Sequence, residues 1–325
     1  MEEKRKKATL IVLEYMSAER TEIFLDDFAN KIKEVAEISY VVVDNSVNCK
    51  NSNIIKDCIT EECEINTLYS RKSYRGKWKD SNIEIVFCIS DINGGYAKGN
   101  NIGVRIANDI FTPEYVIIAN NDTVCLDDEF DIKLIDEIFS KDERIGCIGP
   151  EIVGLHGEYQ SPSRYVSIED RWMRMMLLYP FGHIFGVTAS DIIANPKSGF
   201  VYRVMGSFMI FKTCIFLEVD GFDERTFLFA EECIMAEKLR KIGYSTYYAD
   251  NIHILHNHGE TINTNYKEFE RMKIKFKSEM IYYKDYIQEP IYKIWIVKLI
   301  FAFFAVKFDI FNRFKKRRIV NESKI

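Results

Sequence analysis

Carboxylates stand directly after short apolar runs at two places in the sequence. Asp44 follows the predicted strand Ser39–Val43, and Asp122 follows the predicted strand Tyr115–Ala119. A carboxylate at the end of a strand can accept hydrogen bonds from a ligand ring, and one flanked by amides suits a hard divalent cation. Asp and Asn are also common turn formers after strands. From the residues alone, both interpretations stay open.

A glycine-rich stretch follows the predicted strand Ile83–Ile89 and leads into a predicted helix at Asn100–Asp109. Glycines let the backbone approach a phosphate closely, and the free N–H groups at a helix start can bind an anion. The stretch lacks both the Gly-x-Gly-x-x-Gly fingerprint and the Lys-Ser/Thr of a P-loop. It is therefore either another kind of nucleotide-binding loop or a tight turn. Its candidate donor-binding residues are Asn93, Gly94, Gly95, Lys98, Asn100 and Asn101.

Two adjacent carboxylates, Glu231 and Glu232, begin a predicted helix that ends at Lys241. Either carboxylate could take a proton from an attacking hydroxyl group. Acids in the first turn and bases in the last turn of a helix also match the helix dipole, so a capping role stays open.

Three of the five histidines fall within six residues, at His253, His256 and His258. An imidazole in this segment could complete the coordination of a cation near Asp122, or it could contact a diphosphate. A buried structural histidine is the alternative.

The spacing of apolar residues predicts alternating strands and helices, which indicates an α/β fold with a mostly parallel sheet. Ligands bind such sheets beyond the carboxyl ends of the strands, where the motifs lie. The other predicted strands are Thr9–Glu14, Ile145–Gly149, Val204–Phe211 and Ser245–Tyr248. The other predicted helices are Ala18–Lys33, Phe130–Phe139, a short helix near Trp172–Leu178, Glu231–Lys241 and Asn265–Tyr286, and the basic run Arg71–Lys79 is predicted to be a solvated loop.

The chain has 325 residues, 47% of them hydrophobic, and this composition excludes a disordered or disulfide-stapled protein. Its eight cysteines contain no Cys-x-x-Cys pair, which is typical of free thiols in a reducing compartment. The charged N-terminus gives no indication of an export signal.

The net charge of −5 is distributed unevenly along the chain. The segment Ile291–Arg318 contains eight Lys or Arg and one Asp, a local charge of +7 that leaves −12 for the other residues. Its longest uncharged run, Leu299–Val306, is eight residues, too short to span a bilayer. The lysines do not fall on one helical face, so no clean amphipathic stripe is predicted. We expect peripheral contact with an anionic membrane, the alternative being packing on the protein body or on a second copy.

Taken in order, these motifs resemble those of the family-2 glycosyltransferases, inverting enzymes of the GT-A fold, and in particular the rhamnosyltransferase-like members that build polysaccharides. The similarity covers about residues 8 to 262. It is carried by Val-Val-Val-Asp44, the stretch from Asn93 to Gly103, Ile-Ile-Ala-Asn-Asn-Asp122, Gly206-Ser-Phe-Met-Ile, Gly221-Phe-Asp-Glu, Phe-Leu-Phe-Ala-Glu231-Glu232, Leu-Arg-Lys-Ile-Gly243 and His256-Asn-His-Gly259.

The resemblance implies a role for each motif. Asp44, the glycine-rich stretch and Asn121 would bind a nucleotide-sugar donor. Asp122, with His256 or His258, would bind a divalent cation, manganese or magnesium. Glu232 would be the catalytic base, with Glu231 beside it. The sequence departs from the family at two places: Asn120 replaces the first acid of the Asp-x-Asp motif, and Ile234 replaces an acid that often follows the catalytic pair.

The resemblance also implies a domain organisation and a function. Residues 1–262 would form a GT-A catalytic domain, with a nucleotide-sugar-binding half (1–125) and an acceptor half (126–262). Residues 263–325 would form a helical, membrane-associating extension. The protein would move a sugar to a hydroxyl group of a lipid-linked glycan with inversion, at the cytoplasmic face of the cell membrane, in cell-surface polysaccharide synthesis.

Two other functions stay open. A nucleotidyltransferase also combines a nucleotide pocket with a divalent cation, and a degenerate transferase fold could act as a non-catalytic, membrane-docked partner protein. No nucleic-acid partner is expected, and a homodimer stays open. The sequence does not indicate the sugar, the nucleotide or the acceptor.

Overall fold

The computed structural model describes residues 7–32, 38–46, 52–66, 69, 72–90, 92–174, 191–257 and 268–322, with the backbone alone beyond residue 306. The chain forms two compact units. The first contains Met1–Arg164 and Ile192–Glu279, and the second contains Tyr165–Asp191 and Met280–Ile325. The domain boundary predicted at residue 262 stays a prediction, and so does the division of residues 1–262 into halves.

Within the described residues, eleven strands of the first unit form one mixed sheet. The strands are β1 (Ala8–Glu14), β2 (Ile38–Asp44), β3 (Ile59–Ile65), β4 (Lys72–Trp78), β5 (Glu84–Ile89), β6 (Tyr115–Ala119), β7 (Thr123–Cys125), β8 (Ile145–Val153), β9 (Gly199–Val201), β10 (Phe208–Lys212) and β11 (Ser245–His256). Their order is β3-β4-β5-β2-β1-β6-β10-β8-β11-β7, with β9 paired to β11.

Parallel pairing joins β5, β2, β1 and β6 at the centre, and it also joins β8 to β11. Strand β10 runs antiparallel between β6 and β8. The central strands are buried on both faces and rich in Val and Ile, as expected for parallel strands covered by helices. The predicted α/β fold with a mixed, mostly parallel sheet is confirmed.

The helices of the first unit cover this sheet. They are α1 (Ala18–Lys31), α2 (Ser52–Asp57), α3 (Gly95–Ile110), α4 (Ile132–Lys141), α5 (Thr213–Glu218) and α6 (Glu231–Lys241). The first unit ends at Glu279, within helix α7 (Glu268–Ile281). Helix α3 packs very closely on β1, because a Cβ at Gly99 would lie 2.3 Å from Leu13 Cδ1 and one at Gly103 would lie 2.4 Å from Ile11 Cγ2. Glycine at these positions brings the start of α3 close to the strand ends.

Several local predictions differ from the structure. The strand predicted to begin at Val204 begins at Phe208. The run Arg71–Lys79 is predicted to be a loop, yet it contains strand β4, which pairs with β3 at the edge of the sheet. Lys77 forms an ion pair of 2.9 Å with Glu61 across this strand pair. Because the side chains there are charged and exposed, the sequence shows no apolar pattern that would predict a strand. Helix α3 begins at Gly95, five residues before its predicted start.

The second unit contains a π-helical turn at Glu169–Arg174 and a long helix, α8 (Ile291–Glu322). The fully buried Trp172 ring contacts the Phe301 ring edge-on, with centroids 5.9 Å apart. Lys293 of α8 forms an ion pair of 2.6 Å with Glu169. In the part of the chain that the structure describes, no helix is both long and apolar enough to cross a membrane.

Candidate active site

The adjacent ends of β1 and β2 carry two buried carboxyl groups. Glu14 and Asp44 stand opposite each other in register, and both are almost fully buried. Ser46 Oγ donates a hydrogen bond of 2.8 Å to Glu14 Oε2, and Ser46 N donates one of 2.7 Å to Asp44 Oδ1. The second bond is the turn contact that the alternative interpretation of Asp44 predicts. It closes the turn while keeping Asp44 at the strand end.

The pKa of Glu14 is raised from its ordinary value of 4.5 to about 8. Burial is the largest cause, and the hydrogen bond and charge of Asp44 also raise the pKa, while hydrogen bonds from Ser17 and Ser46 lower it. At neutral pH Glu14 is therefore mostly protonated. Burial and the neighbouring carboxyl group of Asp44 thus disfavour the ionised form of Glu14.

The glycine-rich stretch forms the start of α3. Gly95 has a φ of +77°, and a Cβ there would lie 2.1 Å from Phe227 O. Asn93 Oδ1 accepts a hydrogen bond of 3.0 Å from Gly95 N, and Tyr96 N donates one of 2.9 Å to Phe227 O. Only glycine fits this left-handed position against the neighbouring backbone. The stretch is therefore held beside the chain segment that leads to the acid pair.

Two amide oxygens near this stretch have unused hydrogen-bonding capacity. Asn45 Nδ2 donates to Gly95 O at 3.1 Å, and Asn100 Nδ2 donates to Tyr96 O at 3.0 Å. The Oδ1 atoms of Asn45 and Asn100 are buried without a hydrogen-bond partner among the described residues. Buried polar atoms are normally satisfied, so these two acceptors are available to a bound ligand.

Two other donor-binding candidates are used by the fold. Both ends of the Asn101 amide bond the backbone of Phe222, at 2.8 and 2.9 Å. Asn121 Nδ2 donates to Ser17 Oγ and Thr21 Oγ1 of the α1 segment, at 2.9 and 2.8 Å. These amides position neighbouring segments. The stem of a third candidate, Lys98, packs close to Gly94.

Asp122 and His256 come together although they are far apart in sequence. Strands β7 and β11 pair so that His256 stands opposite Thr123, and His256 Nε2 lies 3.3 Å from Asp122 Oδ1. The other ring nitrogen, Nδ1, lies 2.7 Å from Gln160 Oε1. Gln160 therefore orients the imidazole so that Nε2 faces the carboxylate.

This pair fits a divalent cation. Among the described residues, no hydrogen-bond donor satisfies the buried Oδ1 of Asp122, although the imidazole nitrogen of His256 lies 3.3 Å away. Carboxylate oxygen and imidazole nitrogen are both ligands of manganese, and magnesium prefers oxygen. Within the described ranges no cluster of three or more His, Cys, Asp or Glu side chains is suited to a metal. His258 lies outside the described residues. His253 instead contacts Asp127 at 2.7 Å.

The acid pair begins α6, as the sequence predicts. Phe229 and Ala230, just before it, adopt left-handed φ values of 74° and 70°. Such conformations are strained for residues other than glycine and are often found at functional sites. Glu231 is buried, and burial followed by the charge of Glu232 raises the pKa of Glu231 to about 8.

Glu232 is held by an arginine. Arg203 Nη1 donates a hydrogen bond of 3.1 Å to Glu232 Oε1, in a partly buried ion pair. The other oxygen, Oε2, lies 3.9 Å from the point that a Cβ at Gly206 would occupy. The hydroxyl of Tyr96 donates to Gly206 O. The absence of a side chain at Gly206 thus leaves space beside Glu232. The backbone of Gly206 also bonds Tyr96 of the glycine-rich stretch.

Strand β10 brings the two halves of the site together. Because β10 runs antiparallel to β6, its first residue, Phe208, pairs with Ala119, the last residue of β6. Asn120 N donates to Ser207 O at 2.8 Å. The segment that carries Asp122 therefore lies beside the Gly206-Ser207 segment that borders Glu232.

Sequence reasoning missed Glu14, Gln160 and Arg203. Glu14 had a usable signal, since it ends its strand as Asp44 ends the next one. Gln160 and Arg203 belong to no recognisable motif. They act through contacts with residues 96 and 29 positions away, which no local pattern reveals.

No protein-family model matches the chain. A curated relative, the N-acetylglucosaminyl-diphospho-decaprenol L-rhamnosyltransferase of Mycobacterium tuberculosis, is 26% identical over 152 residues, and the same protein of a second strain matches equally. The match covers 46% of this chain and 49% of the relative. The match thus spans about half the length of these curated relatives.

Three solved structures have a similar fold. A mannosyltransferase from Pyrobaculum calidifontis, in complex with GDP-Man and Mn²⁺, has a TM-score of 0.52 and 15% identity, over 88% of this chain and 65% of that one. TarS 1–349 of S. aureus, with UDP-GlcNAc, has a TM-score of 0.50 and 16% identity over 88% and 69%. GalNAc-T7, with UDP, GalNAc and Mn²⁺, has a TM-score of 0.54 and 11% identity over 86% and 48%. These likenesses show that the chain has the fold of these solved glycosyltransferases.

Proposed function

We propose that the protein transfers a sugar from a nucleotide-diphosphate donor to a hydroxyl group of a lipid-linked glycan, with inversion at the sugar carbon. The observation that carries this proposal is the buried Asp122–His256 pair, joined through β6 and β10 to the acid pair at the start of α6. A cation-binding pair and a carboxylate base on neighbouring segments are what glycosyl transfer with a diphosphate leaving group requires.

The nucleotide-sugar donor would bind at the edge of the sheet formed by the ends of β1 and β2 and the start of α3. Asp44 would accept a hydrogen bond from the nucleobase, and the unused Oδ1 atoms of Asn45 and Asn100 would accept donors from the nucleoside. The start of α3 supplies N–H groups near the phosphates. Asn101 and Asn121 would position the segments around the donor and not contact it, since their amides already form hydrogen bonds within the protein.

Asp122 and His256 would hold the divalent cation, either manganese or magnesium, with the donor diphosphate supplying further oxygens. When bound, the cation would stabilise the negative charge of the leaving diphosphate. Asn120, at the first acid position of the motif, donates its backbone N–H to Ser207 and so supports the segment.

Glu232 would be the general base. Arg203 holds Oε1, and Oε2 faces the space left by Gly206. The acceptor hydroxyl would lose its proton to Glu232 as its oxygen bonds to the sugar carbon, while the bond from that carbon to the diphosphate oxygen breaks on the opposite side. The raised pKa of Glu231 keeps that side chain mostly protonated at neutral pH, so we assign the role of base to its neighbour.

The acceptor is inferred from the curated relative. The name of that relative describes transfer of L-rhamnose to N-acetylglucosaminyl-diphospho-decaprenol, a lipid-linked sugar. By analogy, we assign this chain a lipid-linked glycan acceptor at the cytoplasmic face of the cell membrane, in cell-surface polysaccharide synthesis. Peripheral membrane contact through residues 291–318 is part of this proposal.

The first experiment presents a panel of nucleotide sugars to the protein with Mn²⁺ or Mg²⁺ and a short-chain lipid-linked acceptor. Release of nucleoside diphosphate and a labelled glycolipid product are measured together. Glu232→Gln should bind the donor normally and lose about 10²-fold or more in transfer rate, because it removes general-base catalysis. Glu143→Gln, on an exposed glutamate away from the site, is the matched control.

The alternatives give different products. A nucleotidyltransferase would consume a nucleoside triphosphate and release pyrophosphate. A non-catalytic partner protein would release neither product. Transfer by Glu232→Gln at the wild-type rate would remove Glu232 from the mechanism.

A further inference from the structure

Helix α8 has apolar side chains on two opposite sides. On the inner side, Ile294 and Val297 are buried, and Phe301 contacts the ring of Trp172. These three residues are spaced three and four positions apart, so they share one face of the helix. This face holds α8 within the second unit.

The outer side is also apolar, and it is exposed. Tyr292, Trp295, Ile296, Leu299 and Val306 have 60%, 61%, 40%, 67% and 58% of their surfaces exposed. They recur at intervals of three, four or seven residues and therefore share the opposite face. This outer face of α8 extends about 21 Å along the helix at 1.5 Å per residue.

An apolar pattern on both sides explains why the sequence did not reveal the stripe. The lysines flank the outer face instead of interrupting it. Lys293 forms ion pairs with Glu169 and Glu289 at 2.6 and 3.1 Å, and the ammonium group of Lys298 lies 5.7 Å from the centroid of the Trp295 ring. Helix α8 is thus apolar on two sides, in agreement with the prediction that it has no single amphipathic stripe.

The charge of the segment indicates what covers this face. Residues 291–318 carry a net charge of +7, and five of the basic residues follow in the run 313–318. Two copies of α8 joined side by side in parallel would bring these charges together, whereas anionic lipid headgroups complement them. Trp and Tyr side chains also favour the boundary between hydrocarbon and water.

We propose that the outer face of α8 lies in the interface of an anionic lipid bilayer, with the helix parallel to the membrane surface and the following basic run against the headgroups. The inference deepens the membrane contact of the proposed function and rests on it. Vesicle binding is measured without sugar transfer, so either proposal can fail alone.

The protein contains its own reporter for the test. Of the three tryptophans, Trp78 and Trp172 are almost fully buried and Trp295 is exposed. The full chain is mixed with vesicles of phosphatidylcholine alone or with 30% phosphatidylglycerol, with and without brominated acyl chains. We expect Trp295 emission to shift to shorter wavelength and to be quenched by bromine only with the anionic vesicles.

Sedimentation with the same vesicles measures affinity. Trp295→Asp/Leu299→Asp should weaken binding by more than about tenfold, because each of these side chains contributes apolar burial in the bilayer. The matched control, Ile23→Asp/Leu155→Asp, introduces the same charges at exposed apolar positions of the first unit and should bind like wild type. Neutralising Lys315, Lys316, Arg317 and Arg318 to Gln should weaken binding by about fivefold per charge.

Three results would overturn the proposal. The first is wild-type protein that stays in solution with anionic vesicles. The second is a Trp295→Asp/Leu299→Asp variant that melts like wild type and binds the vesicles equally well. The third is a wild-type dimer that this variant dissociates while vesicle binding is unchanged, since the face would then join two copies of the chain.

Discussion

Glu14 and Asp44 end neighbouring parallel strands, face each other in register and share one buried edge of the sheet. Glu14 takes the protonated form because its pKa is raised to about 8, and Ser46 bonds both carboxyl groups. Asp44 is thus held by a neutral neighbour at neutral pH. Above pH 8 the carboxyl group of Glu14 would be mostly ionised.

This relationship predicts how stability depends on pH. Between about pH 4.5 and 8 the folded protein binds more protons at Glu14 than the unfolded chain does, so the free energy of unfolding falls as the pH rises. Glu14→Gln removes this contribution, which amounts to at most about 1.4 kcal/mol per pH unit. Denaturant unfolding at pH 6 and pH 9 should therefore show a smaller decrease for Glu14→Gln than for wild type.

The exposed Glu19, on α1, provides the control for that measurement. Glu19→Gln should keep the wild-type difference between the two pH values. Equal slopes for Glu14→Gln and wild type would mean that Glu14 does not hold its proton in the folded state. Binding of nucleoside diphosphates by wild type and Glu14→Gln, measured at both pH values, would show whether nucleotide binding at Asp44 depends on the protonation of Glu14.

The histidines provide a matched pair of substitutions for the cation site. His256→Gln removes the nitrogen beside Asp122, while His253→Gln changes a half-exposed histidine that contacts Asp127. We expect His256→Gln to weaken Mn²⁺-dependent binding of nucleoside diphosphate by more than about tenfold, since changes even one shell away from a metal cost that much. His253→Gln should leave it unchanged.

Isothermal titration calorimetry with and without Mn²⁺ measures this effect. If His256→Gln weakens binding equally in the presence and absence of metal, the histidine contacts the nucleotide and not a cation. If both variants bind like wild type, Asp122 and His256 are a structural pair.

Substitution of Gly206 should lower the rate of sugar transfer without destabilising the fold. A Cβ there would lie 3.7 Å from the Tyr96 hydroxyl and 3.9 Å from Glu232 Oε2, which are ordinary contact distances. Gly206→Ala should therefore fold with a free energy of unfolding within about 1 kcal/mol of wild type. It fills the space beside the base, so the rate of sugar transfer should fall while the Kd for nucleoside diphosphate stays constant.

Gly199→Ala serves as the control, because a Cβ at Gly199 meets only Lys197 O at 3.9 Å. Thermal melting and transfer assays on both variants give the comparison. An unchanged transfer rate in Gly206→Ala would show that the acceptor hydroxyl approaches Glu232 from another side.

The strands and the acid-bearing helix follow from local patterns. Buried runs such as Tyr115–Ala119 and the helix Glu231–Lys241 have the predicted bounds, because apolar spacing and terminal charges agree there. The charged hairpin of β3 and β4 has no such pattern. Strand β11 is predicted only to Tyr248, since its pairing with β8 is irregular between Ala249 and His253 and breaks the alternation.

The site itself needs tertiary structure. Asp122 meets His256 only because β7 pairs with β11, and Glu232 meets Arg203 across a long connection. The motifs identify Asp122, His256 and Glu232, and the resemblance pairs Asp122 with His256 or His258, but nothing in the sequence indicates Arg203. Which oxygen is buried without a hydrogen bond, as at Asp122 Oδ1, cannot be deduced from spacing along the chain.

The antiparallel register of β10 has one further consequence. Ala119 stands opposite Phe208, and Asn120 N donates a hydrogen bond to Ser207 O in the next pair, so the separation between the Asp122 segment and the Gly206-Ser207 segment is set by the backbone ladder and not by side chains. Shifting the register by one residue would turn alternate side chains to the other face of the sheet. In the mechanism that we propose, the backbone of the sheet therefore fixes the distance between the leaving group and the attacking hydroxyl group.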